Sequence, residues 1–268
     1  MRIGAVIPAA GYGTITSGRS KLIEDVAGKP LVCHLLEAVA MAGVDPIAVV
    51  TNHRYGGQIR ETLGAYLLPG GSTLRFAEQA ERRGAADAVR AAVPLLREAG
   101  CNSMLVAFGD MPCWTAASLK DIIAAHTNGG KQVTMTLIPT ALVSGRAEFV
   151  AFGRALVDQA GKVISTFEPR DRMPSKEEMA CAAYLNAALY VIDLDVFEGY
   201  FPRTSAFDRG DGYPPEIHLP AMIEVMSRSG VDIGTFILSD VEETRGVNTH
   251  SELEIVRAMM EAHRGALP

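Results

Sequence analysis

The stretch VIPAAGYGTITSGRSK, residues 6–21, decides how the rest of the chain is read. An apolar run leads into two alanines, two glycines one residue apart, a threonine and, seven residues on, a lysine. A glycine-rich turn directly after a buried strand lets backbone N–H groups approach an anion closely. Loops of this kind differ in spacing. A dinucleotide loop needs G-x-G-x-x-G and an acid about 20 residues further on. Here Gly11-Tyr-Gly13 runs into Ile15-Thr16 without a third glycine, and the second strand closes on Thr51-Asn52. The G-x-x-x-x-G-K-[ST] spacing of a P-loop is absent. What fits is a longer loop, closed by Lys21 on its helix side, that wraps a nucleoside triphosphate.

Outward from this loop, apolar runs alternate with segments of helical period. Residues 3–7, 47–51, 74–77 and 104–108 read as strands; 30–44, 55–66 and 85–99 read as helices. The strand at 104–108 ends in Gly109-Asp110, and Thr115 caps a helix reaching residue 127 before Gly129-Gly130. That alternation predicts βαβ units, hence an α/β protein with a doubly wound, mostly parallel (Rossmann-like) sheet. Beyond residue 130 the pattern changes. Strands are expected at 133–138, 148–152, 163–167, 184–192 and 232–238, a tight turn at 158–162 and a helix at 215–228. Thr249-His-Ser-Glu252 is a capping-box pattern that opens a closing helix to residue 263. Residues 203–215, rich in Gly, Asp and Pro, are the expected mobile loop. Without linker or repeat, residues 1–268 read as one domain: a nucleotide-binding half to about 130, a smaller mixed β lobe from about 131 to 248, and a C-terminal helix from 249.

Composition narrows the function. The 268 residues are 48% apolar and 21% charged, so the chain buries a full core. A formal charge of −6 argues against nucleic acid or an anionic membrane as main partner, and leaves room for a local basic pocket. No apolar run approaches the ~20 residues that span a bilayer. The N-terminal apolar segment is too short for a signal peptide, so a cytoplasmic location is expected. Cys33, Cys101, Cys113 and Cys181 form no C-x-x-C pair and read as reduced, mostly buried thiols.

Seven short motifs then occur in order: Ala9-Ala10-Gly11-Tyr-Gly13-Thr14, Lys21, Gly28-Lys-Pro-Leu31, Glu78-Gln79 with Gly84-Ala85, Phe108-Gly-Asp110-Met-Pro112, Tyr184-Leu-Asn186 and Gly246-Val-Asn248. Together they resemble the signature of the sugar-1-phosphate nucleotidylyltransferases over roughly residues 3–262. Within that family the likeness is nearest to the uridylyltransferase half of the bifunctional N-acetylglucosamine-1-phosphate uridylyltransferases. Hexapeptide repeats of a left-handed β-helix, which carry the acetyltransferase half, do not occur in the sequence, so acetyl transfer is not expected.

The resemblance implies roles. Ala9, Ala10, Gly11, Gly13 and Thr14 would hold the triphosphate, and Lys21 would bring a cation to the α-phosphate. Asp110 and Asn248 would hold one Mg²⁺. Gln79, Gly84 and Ala85 would read the base of a pyrimidine nucleotide, with UTP favoured. Gly153, Glu168 and Asn186 would bind the sugar. The expected reaction is in-line attack of a sugar 1-phosphate on the α-phosphorus, releasing pyrophosphate and leaving a nucleotide sugar. The chain departs from the family in its loop: Ile15 stands where an arginine follows the Gly-Thr pair, Ser20 replaces a proline, and the loop is about one residue short. Arg19 is the expected substitute cation, since an uncompensated loss of such a contact costs roughly 10²–10³ in rate. Alternatives remain: another nucleotide (dTTP, CTP or GTP), a non-hexose phosphate acceptor, or a nucleotide sensor with little turnover. The closing helix can pack on its own domain or on a second copy in a homo-oligomer.

Overall fold

The computed structural model describes residues 1–16, 18–168, 182–208, 210, 212 and 214–265. The first half follows the expected alternation: β1 (Ile3–Pro8), a short β2 (Asp25–Val26) and β3 (Lys29–Pro30) hairpin, α1 (Leu31–Met41), β4 (Ile47–Asn52), α2 (Gly56–Gly64), β5 (Leu74–Gln79), α3 (Ala85–Glu98), β6 (Ser103–Ala107) and α4 (Ala116–Gly129). Then come β7 (Val133–Pro139), β8 (Arg154–Val157), β9 (Val163–Phe167), β10 (Tyr184–Asp193), α5 (Leu194–Tyr200), α6 (Leu219–Arg228), β11 (Ile233–Ile237) and α7 (His250–Gly265).

The main sheet runs β11-β7-β10-β6-β1-β4-β5. β1 pairs in parallel with β4 and β6, and β5 in parallel with β4; β10 alone runs antiparallel, to β6 and β7. Both faces of the sheet are covered, so its strands are near-continuous apolar runs. In β1, Ala5 and Ile7 face the core beneath α1, α2, α4 and α7, while Val6 faces the core beneath α3, α5 and α6. The chain leaves β1 toward β4 and β5, then crosses back through α3 to place β6 on the other side of β1. That reversal opens a crevice at the carboxyl ends of β1, β4, β5 and β6, where open α/β sheets take their ligands.

The later strands mostly extend this sheet. The smaller lobe is the β8–β9 hairpin, attached through β8 to β10. Residues 148–152 are not a strand: Ala147–Phe149 is a 3₁₀ turn, and the strand begins at Arg154. The apolar spacing there serves packing, with the Phe149 and Phe152 rings 5.0 Å apart against the core. The helix expected from 215 starts at Leu219, because the backbone of Glu216 bridges to Phe207 and Ile217 N–H donates to Arg83 O. α5 was not expected; it buries Leu194 and Phe197. The capping box of α7 forms, with Glu252 N–H donating to Thr249 Oγ1 and Thr249 N–H to Glu252 Oε2. Cys33 and Cys113 are free thiols, and burial pushes both up to about 12, so neither is a nucleophile at neutral pH. Cys181, and residues 209, 211 and 213 of the expected mobile loop, lie outside the described residues.

His126 of α4 is 1% exposed, with Nδ1 3.0 Å from Thr134 Oγ1 and Nε2 3.4 Å from Asp193 Oδ1. Burial lowers its pKa, outweighing the attraction of the Asp193 carboxylate. The fold therefore holds the neutral ring. The associated stability is complete above the ordinary histidine value of about 6.5 and is lost as pH falls below it toward the folded-state pKa. Urea unfolding is expected to show a midpoint that drops from about pH 7 to about pH 5.5, with a shallower drop in His126→Asn.

Candidate active site

The loop expected to hold an anion lies at the end of β1. Ala9 and Ala10 are buried, and Ala9 N–H donates to Val50 O at 2.8 Å. Asn52, at the last position of β4 and 2% exposed, donates from Nδ2 to Ala10 O and Gly11 O at 3.0 and 3.2 Å. Its Oδ1 accepts from Tyr55 N–H. One buried amide thus ties the loop to the β4–α2 turn. Beyond it, the amides of Gly11, Tyr12, Gly13 and Thr14 donate to no group among the described residues. Gly11 faces open space, and unpartnered amides facing open space suit an anion. Gly13 is needed for a different reason: a Cβ there would sit 3.3 Å from the Lys21 stem. Ile15 packs its half-buried side chain against the core beneath α1, so it anchors the loop rather than contacting a ligand.

Lys21 is 8% exposed and its ammonium donates to Asp110 Oδ2 at 2.7 Å and to Asn248 Oδ1 at 2.8 Å. Three segments far apart in sequence meet here. Ser20 starts the 3₁₀ turn Lys21–Ile23 by accepting from Leu22 N–H. Asp110 follows β6, with Gly109 N–H donating to Pro8 O at 3.1 Å. Val247 N–H donates to Asp110 O at 2.9 Å, which brings the neighbouring Asn248 to the same point. Glu252 of α7 accepts from Asn248 N–H at 2.7 Å. Asp110 does not cap α4: Thr115 accepts from Ser118 N–H, and buried Glu243 accepts from Thr115 N–H and Ser118 Oγ. With that duty met elsewhere, Asp110 keeps its carboxylate for the site. Arg19 stands apart, donating to Ile23 O at 2.9 Å, with no bond to Lys21, Asp110 or Asn248 among the described residues.

At the end of β5, buried Gln79 donates both amide protons, to Gly84 O and to Asp87 Oδ2, each at 3.0 Å. Its oxygen is what it retains for a ligand. The amides of Gly84 and Ala85 carry no partner among the described residues, whereas Ala86 N–H is taken by Ile217 O. Gly84 has φ +86° and ψ 175°, a backbone region open essentially to glycine.

The sugar-site candidates also meet. A Cβ on Gly153 would lie 2.2 Å from Glu168 Oε1, and Asn186 N–H donates to Gly153 O at 2.9 Å. Asn186 Nδ2 is 3.5 Å from Glu168 Oε1 and 2.7 Å from the Tyr190 hydroxyl. A bulge between Asn186 and Tyr190, with Ala188 at φ +56°, brings these two side chains together. Sequence reasoning missed Asn52, Asp87, Tyr190 and Glu243. Only Asn52 carried a signal, as an amide closing a strand that opens on the apolar run 47–50.

A family model described as the MobA-like NTP transferase domain matches residues 5–172. The bifunctional protein GlmU of Exiguobacterium sibiricum is 30% identical over 91% of this chain and 50% of its own length. That of Bacillus cereus is 30% identical over 94% of the chain and 51% of its length. The chain thus spans about half the length of the curated relatives it matches. Among solved structures, a CMP:2-keto-3-deoxy-manno-octonic acid synthetase complexed with CTP superposes with a TM-score of 0.69 at 20% identity, covering 98% of this chain and 100% of that one. A Bacillus anthracis protein assigned as a glucose-1-phosphate thymidylyltransferase gives 0.70 at 19% identity, covering 96% and 94%. These two show the same fold.

The geometry at Gly84 makes a sharp expectation. Gly84→Ala puts a methyl group 2.5 Å from Ile217 O on a backbone that disfavours any Cβ. It should cost on the order of 2 kcal/mol, read as a lower urea midpoint. An unchanged midpoint would show that the 84–86 and 216–218 segments are not held in this register.

Proposed function

Because the chain belongs to the family of MobA-like NTP transferase domains, we propose that it joins a nucleoside triphosphate to a sugar 1-phosphate, releasing pyrophosphate. The observation that carries this reading is the meeting of Lys21, Asp110 and Asn248 at the carboxyl end of β6, beside a loop whose Gly11 to Thr14 amides have no partner among the described residues. Two polyanions have to be brought together, so the site must supply positive charge and fix both in line.

The triphosphate would lie against the amides of Gly11 to Thr14, with the Lys21 ammonium at the α-phosphate. A sugar 1-phosphate is already largely ionised at neutral pH, so no side chain has to remove a proton. Its oxygen forms a bond to the α-phosphorus as the bond from that phosphorus to the bridging oxygen breaks, and pyrophosphate leaves with that oxygen and its electrons. Gly153, Glu168 and Asn186 would hold the sugar hydroxyls so that its phosphate faces the α-phosphorus.

The residues fit a hard divalent cation. Asp110 and Asn248 present oxygens to one point now filled by an ammonium, and an oxygen-only set with few protein ligands suits Mg²⁺, which retains water. When bound there, Mg²⁺ would neutralise charge on the phosphates. For the base, an acceptor from Gln79 beside unpartnered amide donors at Gly84 and Ala85 complements the N3–H and carbonyl edge of uracil or thymine. Cytosine presents an acceptor at N3. This supports UTP or dTTP over CTP, and the resemblance to the uridylyltransferases favours UTP of the two.

The test is a pyrophosphate-release assay with UTP, dTTP, CTP and GTP against a panel of sugar 1-phosphates. UTP is expected to be preferred, and Asp110→Asn to lower turnover by at least roughly 10², with loss of any Mg²⁺-dependent thermal stabilisation by UTP. Turnover equal to wild type in Asp110→Asn would move the metal elsewhere. UTP bound with no turnover on any acceptor would favour a nucleotide-sensing role. Gly153→Ala should push the Glu168 carboxylate aside and raise KM for the sugar phosphate while leaving KM for UTP unchanged; parallel rises in both would remove Glu168 from the sugar site.

A further inference from the structure

In the proposed pose the α-phosphate lies at Lys21 and Asp110, beside β6, and the β- and γ-phosphates lie on the amides of Gly11 to Thr14, past β1 and next to the carboxyl end of β4. The residues directly past β4 are Asn52-His-Arg-Tyr55. Asn52 and Tyr55 are buried and occupied with the loop and the turn; His53 and Arg54 are exposed. The Arg54 guanidinium lies 5.9 Å from the Tyr12 ring centroid and 5.1 Å from that of Tyr55, and His53 meets Tyr12 edge-on with centroids 5.8 Å apart. Tyr12 sits between the two glycines of the anion loop. No carboxylate pairs with Arg54 among the described residues. The charge of Lys21 is already matched by Asp110, and Arg19 is turned to Ile23 O.

We infer that Arg54 is the second cation of the triphosphate site, binding the β- and γ-phosphates from the β4 side while held beside the Tyr12 and Tyr55 rings. A guanidinium offers an in-plane N–H edge, which grips phosphate oxygens in pairs. It completes a site whose loop offers amides but, with Ile15 half-buried against the core and Arg19 donating to Ile23 O, brings no cation to the phosphates beyond Lys21. The inference rests on the site being a nucleotide site.

Isothermal titration of wild type, Arg54→Ala and Arg54→Lys with UTP, UMP and inorganic pyrophosphate tests it. Arg54→Ala should bind UTP and pyrophosphate roughly tenfold to a hundredfold more weakly and UMP as wild type does. Arg54→Lys should recover part of the loss, since it restores charge without the fork. The exposed side chain predicts an unchanged Tm without ligand. Equal binding of UTP by wild type and Arg54→Ala would overturn the inference and leave the nucleotide reading standing. Equal losses for UTP and UMP would also overturn it, by showing that Arg54 only supports Tyr12. A wild type that binds none of the three would remove both.

Discussion

A lysine ammonium that is almost withdrawn from water has to be paired, and here the pairing draws three distant segments together. Lys21 reaches Asp110 from the end of β6 and Asn248 from the turn before α7. Unpairing such a charge costs several kcal/mol, so the contact acts on the position of all three segments at once. Other bonds reinforce it. Val247 N–H on Asp110 O and Gly109 N–H on Pro8 O act at the backbone, and Glu252 acts on Asn248 from the first turn of α7. In the proposed function, the atoms that stabilise this junction are also the ones a polyphosphate and its cation would use.

Distance along the sheet edge divides the tasks. The parallel register of β5, β4, β1 and β6 sets Gln79, the glycine loop, Lys21 and Asp110 on one rim in that order. Several candidate groups are held by neighbours to which no chemical task is given. Asn52 holds the loop, Asp87 holds Gln79, Tyr190 holds Asn186, and Glu243 occupies the α4 N-terminus that Asp110 would otherwise serve. Removing any of these supports should displace the group it orients.

The first half of the fold was legible because its strands are buried on both faces and its helices on one, which leaves two unlike periodicities in the sequence. The reading failed where a local pattern had a different cause. The apolar run at 148–152 reads as a strand, yet Phe149 closes a 3₁₀ turn and packs on Phe152. Residues 215–218 look helical, yet their backbone groups bond Phe207 and Arg83 across the molecule. Candidate site residues were legible through the ordered short motifs that resemble the nucleotidylyltransferase family, not through any single residue.

Residue order alone therefore determined the alternation of strands and helices, the glycine loop after β1, and the candidates Lys21, Gln79, Asp110, Glu168, Asn186 and Asn248. Tertiary structure alone decided which of these touch. Lys21 and Asn248 are separated by 227 residues, and only the crossover that sets β6 beside β1, with the return of the chain past β11, brings them within 2.8 Å. It also decided that Ile15 packs half-buried against the core, that Arg19 bonds a carbonyl, and that Arg54 stands beside Tyr12. Local propensities act over a few residues, whereas a binding site is made of contacts whose partners no local rule can choose.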